Sequence, residues 1–83
     1  MEAIDPSARI TQAARRHGVD DEDILHAYRN PTALELQDDG FIMITGPRRD
    51  GHFLEVGFRY DPDTRTSFIL HAMIARPKYL RPR

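Results

Sequence analysis

The sequence predicts an α+β fold: two short N-terminal helices packed on a four-stranded antiparallel meander, followed by a short basic C-terminal tail. Three observations carry that expectation. Apolar residues recur at helical spacing before Pro31 and alternate with polar ones after it. Turn-forming pairs separate the alternating stretches. A chain of 83 residues has room for one core, so residues 1–83 are expected to form a single domain.

The first helix is expected to open at Asp5-Pro6-Ser7, where Asp can accept from free N–H groups and proline suits the first helical position, and to stop at Gly18. Ile10, Ala13, Ala14 and His17 would form its narrow apolar stripe. A second helix should start at Asp20, its first turn filled by Asp21, Glu22 and Asp23 where the helix dipole favours negative charge, and should end before Asn30-Pro31. Ile24, Ala27 and Tyr28 would be buried.

Four strands should follow. Leu34 and Leu36 share a side of the first, and Asp39-Gly40 signals a hairpin. Phe41 to Thr45 form the second, ended by Gly46-Pro47, and Asp50-Gly51 turns the chain into the longest, His52 to Tyr60. There Leu54, Val56, Phe58 and Tyr60 alternate with Phe53, Glu55, Gly57 and Arg59. After the turn at Asp61-Pro62-Asp63-Thr64, Arg65 to Ile74 form the fourth strand, with Phe68, Leu70 and Ala72 on one side and Ser67, Ile69, His71 and Met73 on the other. If the helices cover Leu54, Val56, Phe58, Phe68 and Leu70, the opposite face is left partly open and carries Glu55, Arg59 and His71 within hydrogen-bonding range.

Composition narrows the chemistry. The absence of cysteine excludes disulfide scaffolds, thiolate zinc sites and cysteine nucleophiles. His17, His26, His52 and His71 are scattered, so no metal site is expected, and no glycine-rich phosphate loop, nucleophile elbow or dinucleotide fingerprint calls for a cofactor. No apolar run reaches the roughly 18 residues of a membrane span, and the N-terminus lacks signal-peptide character, so a cytoplasmic protein is expected.

The net charge of −1 hides a division. Residues 1–40 carry four Arg against nine acids, and residues 41–83 carry eight cations against four acids. Such segregation could drive head-to-tail self-association into a homo-oligomer. The tail from Arg76 to Arg83 holds Arg76, Lys78, Arg81 and Arg83 and no acid, a pattern suited to RNA or DNA. A solvated tail is the simpler account.

Arg16-His17-Gly18-Val19, the helical stretch ending at Asn30-Pro31, and Ile74-Ala75-Arg76 follow one another in an order that resembles the BrnT-type toxins of bacterial toxin-antitoxin systems, relatives of the RelE ribonuclease fold. The N-terminal strand such toxins commonly place before the first helix has no counterpart in Met1 to Ile4, and the helix beyond the last motif is nearly missing. The resemblance implies a metal-independent endoribonuclease that acts on mRNA and is neutralised by a cognate antitoxin protein. Cleavage of that kind needs a base for the 2′-hydroxyl, an acid for the leaving 5′-oxygen, and fixed cations. Glu55 or His71 could be the base and His71 or Tyr79 the acid, with Arg59 and Arg76 supplying charge, a set similar to that of RelE-like enzymes. Each residue also has a plainer role: Glu55 and Arg59 as surface ion-pair partners, His71 as a half-buried histidine, Tyr79 as an anchor packed with Leu80, and His17 as a helix C-terminal residue. The alternative function is a noncatalytic module of the same fold that binds protein or nucleic acid.

Overall fold

In the computed structural model, which describes residues 8–80, the chain is α+β with one α-helix and a mixed sheet of five strands. The strands are β1 (Arg9–Ile10), β2 (Ala33–Leu36), β3 (Ile42–Pro47), β4 (Phe53–Asp61) and β5 (Thr66–Ile74), in the spatial order β1-β5-β4-β3-β2. From β2 to β5 the chain is the expected antiparallel meander, whereas β1 runs parallel to β5 and adds a fifth strand at its edge.

The expected first helix is therefore corrected. Its proposed start at Asp5-Pro6-Ser7 lies outside the described residues, and the rest is a strand followed by a single 3-10 turn, Ala13–Arg15. The reason is the exposed edge of β5. Thr11 donates both its N–H (3.0 Å) and its hydroxyl (2.8 Å) to the carbonyl of Ile69, satisfying an edge acceptor that a separate helix would leave to solvent. One buried alanine, Ala14, then fixes the turn to the core.

The second expected helix is present as α1 (Asp21–Arg29), and it buries Ile24, Ala27 and Tyr28 as its spacing predicts. It lies on β3 and β4 at close range because β3 carries Gly46: a Cβ there would run into the Ala27 carbonyl and come within 3.1 Å of the Asn30 oxygen. Tyr28 meets Phe58 edge to face, with ring centroids 5.1 Å apart. His26 Nδ1 donates to the Pro47 carbonyl at 2.8 Å and fastens the last turn of α1 to the end of β3. The opposite charges of the two halves of the chain meet here internally, with Arg49 bonding Asp20 (2.6 Å) and Asp23 (2.8 Å), while within the first half Arg15 bonds Asp21 (2.8 Å).

The core joins Ile24, Ala27 and Tyr28 of α1 to Ile44, Leu54, Val56, Phe58, Ile69 and Ala72 of the sheet. The assignment of Phe68 and Leu70 to this face is overturned. Register along β4 and β5 shifts between Gly57 and Phe58: Gly57 pairs with His71 and Phe58 with Ile69, so Leu70 is an extra residue on β5. A one-residue insertion reverses every side chain beyond it. Ser67 and Ile69 thus turn into the core, while Ala72, on the near side of the bulge, keeps its expected face.

Among the described residues no helix is long and apolar enough to cross a membrane.

Candidate functional site

The face of the sheet turned away from α1 carries Met43 and Thr45 from β3, Glu55 and Gly57 from β4, and His71 and Met73 from β5. It is less open than the sequence suggests. The Phe41 ring lies on Gly57, where a Cβ would meet its edge at 2.8 Å and His71 Cβ at 3.3 Å. Beyond β5 the chain folds back across the same face. Ala75 still donates to Phe53 O (3.0 Å), and Pro77 then opens a 3-10 turn, Pro77–Tyr79. Proline keeps the preceding Arg76 extended (φ −75°, ψ 154°), which aims its backbone N–H inward. Thr45 Oγ1 donates to the Tyr79 carbonyl at 3.4 Å and holds the turn down.

Under this fold-back lies Glu55, a fully buried carboxylate. A buried charge is tolerated only when paired and hydrogen-bonded, and Glu55 is bonded on both oxygens. Oε1 accepts from the Arg76 backbone N–H (2.9 Å) and Nε (3.0 Å); Oε2 accepts from an Arg76 terminal nitrogen (2.7 Å) and from His71 Nε2 (2.8 Å). Burial opposes its ionisation, but the bonds from the Arg76 side chain and backbone and from His71 outweigh burial and hold its pKa at about 2. The same contact raises the pKa of Arg76.

The tautomer of His71 follows. An ionised carboxylate only accepts, so Nε2 must donate to it, and in the neutral ring Nδ1 becomes the acceptor. The side chain is about a quarter exposed, at 26%. His17 stands against it, ring centroids 5.8 Å apart at an interplanar angle of 75°. On the other side of Glu55, the Tyr79 ring receives Arg76 at 5.7 Å and Lys78 at 5.0 Å from its centroid.

Of the residues expected to act together, the structure unites Glu55, His71, Arg76 and Tyr79, with Lys78 beside them. Arg59 shares their face but stands four residues along β4 from Glu55, about 13 Å at strand rise, opposite Phe68 and exposed. The anticipated Glu55-Arg59-His71 grouping is corrected to Glu55-His71-Arg76. Arg81 and Arg83 lie outside the described residues. His17 and Thr45 belong to the site without having been marked for it. Only the placement of the N-terminal segment along β5 brings His17 to His71, and no local spacing signals a contact across so much chain.

Among the described residues no group of three or more His, Asp or Glu side chains is arranged to hold a metal ion. The buried carboxylate, oriented imidazole and cationic rim can accept a proton and bind a phosphodiester. No protein-family model matches this chain, and comparison with curated proteins and with solved structures likewise finds no match.

Proposed function

We propose that this protein is a ribonuclease toxin of the BrnT or RelE type, which cleaves mRNA without a metal and is held inactive by a protein antitoxin. One observation carries the reading: the buried Glu55 carboxylate bonds His71 Nε2 at 2.8 Å, which fixes the ring and turns a basic Nδ1 away from the carboxylate. The chain departs from the resemblance before α1, where the strand Arg9–Ile10 and a single 3-10 turn stand in place of the first helix.

The roles divide by chemistry. A carboxylate held at about 2 is a feeble base at neutral pH, so Glu55 positions His71, and His71 Nδ1 takes the 2′-hydroxyl proton. Arg76 places two of its five N–H donors on Glu55 and is also drawn to Tyr79, and the donors left over, with Lys78, serve phosphate oxygens. Tyr79 offers a ring on which a base can stack.

A noncatalytic module that binds nucleic acid or protein remains the second reading. It is favoured by one feature, the engagement of Arg76 with Glu55 while Arg59 stands apart, which leaves little fixed positive charge around His71.

Induced expression in a bacterial host, together with incubation of the purified protein with RNA, tests the proposal. Wild type is expected to arrest growth and cleave RNA, and a folded His71→Ala variant to cleave about 10²–10⁴-fold more slowly and permit growth. Cleavage unchanged in that variant overturns the assignment; RNA binding without cleavage by wild type moves the reading to the binding module.

A further inference from the structure

Cleavage through the 2′-oxygen requires a second proton transfer, and with His71 as base the 5′-oxygen still needs a donor. We infer that His17 is that general acid, an inference that rests on the ribonuclease reading above. Its imidazole is exposed and lies in edge contact with the one that Glu55 orients, centroid to centroid at 5.8 Å. Each ring reaches its proton partner at roughly 2.6–3.2 Å, so two imidazoles at this spacing can serve two oxygens on a single phosphorus.

The placement of His17 is built into the fold. The preceding chain is pinned to β5 by the two Thr11 bonds to Ile69 O, and Ala14 is fully buried beneath it. His17 sits within the turn closed by Gly18 N–H on Arg15 O (3.1 Å), and Gly18, at φ +74°, bends the chain away toward α1. The ring is therefore presented beside His71 from a segment anchored at both ends.

The step balances without a further reagent. The 2′-hydroxyl proton passes to His71 Nδ1 as the 2′-oxygen bonds to phosphorus. The bond from phosphorus to the 5′-oxygen breaks, and that oxygen takes a proton from protonated His17. The products are a 2′,3′-cyclic phosphate and a free 5′-hydroxyl, and proton exchange with water resets both rings.

A substrate whose leaving group needs no proton isolates the acid. Wild type, His17→Ala, His17→Gln and Tyr79→Phe are compared on ordinary RNA and on RNA with sulfur replacing the bridging 5′-oxygen, which leaves as a thiolate. Both His17 variants, checked for folding by circular dichroism, are expected to lose about 10²-fold or more on ordinary RNA and to recover most of that loss on the sulfur substrate. Tyr79→Phe is expected to change both rates in equal proportion. Equal losses by the His17 variants on the two substrates, or no loss, overturn the inference while leaving His71 as base, and recovery by Tyr79→Phe alone transfers the acid role to Tyr79. Wild type inert on both substrates overturns the ribonuclease reading and this inference together.

Discussion

Arg76 closes over Glu55 with three hydrogen bonds, one from its backbone and two from its guanidinium, at 2.7–3.0 Å. The carboxylate is wholly buried while the arginine side chain remains about half exposed. This asymmetry makes Glu55 the structural keystone of the site, since removing it strands several donors, whereas Arg76 can be rehydrated.

Replacing Glu55 by Ala is accordingly expected to lower unfolding stability by about 3 kcal/mol in urea titrations at neutral pH. The pH dependence has a defined sign. The folded-state pKa of Glu55, about 2, lies below the ordinary 4.5, so the unfolded chain binds more protons in that interval and stability rises with pH across it. The contribution is present above about pH 4.5 and is lost as pH falls toward 2. Melting temperatures of wild type and Glu55→Gln should converge over that window. A constant gap would show that the carboxylate charge is not what holds the fold-back.

Two glycines should respond unequally to a methyl group. Gly46→Ala drives its Cβ into the Ala27 backbone carbonyl, which belongs to α1 and cannot move alone, so a loss of about 3 kcal/mol or more is expected. At Gly57 the obstacle is the far end of the Phe41 side chain, and a loss of about 1–2 kcal/mol is expected there. Gly57→Ala should also disturb His71, whose Cβ lies 3.3 Å from the added carbon. Chemical denaturation of both variants, with the His71 ring resonances followed by NMR, measures the difference.

Arg49 gathers Asp20 and Asp23 at the start of α1 through exposed contacts. Arg49→Ala should reduce the melting temperature at low salt by a small amount that shrinks as ionic strength rises, because exposed ion pairs are screened. The backbone N–H of residue 49 still donates to Asp23 in the variant, so α1 should remain helical by circular dichroism. A loss unaffected by salt would assign Arg49 a packing role.

Much of the fold was legible where local chemistry is decisive. The acidic first turn and Asn30-Pro31 bracket α1 to within a residue or two, and period-two alternation locates β4 because one of its faces is packed by α1. The N-terminal segment was misread because Ile10, Ala13, Ala14 and His17 satisfy helical spacing, while the competing attraction, the unpaired edge of β5, lies far away in sequence. The faces of β5 were misread for a related reason: Leu70 fits alternation as well as its neighbours do, and only pairing with β4 makes it the extra residue.

The site divides along the same line. Alternation and hairpin order by themselves determined that Glu55 and His71 share a face on adjacent strands, since both facts follow from local geometry, and the bulge lies beyond His71 and leaves them together. The burial of Glu55, the return of Arg76 onto it, the exclusion of Arg59 and the arrival of His17 were decided only by tertiary structure. They depend on where the chain crosses the sheet before β2 and after β5, and those crossings are set by the need to satisfy an exposed strand edge and a buried charge, which no local pattern encodes.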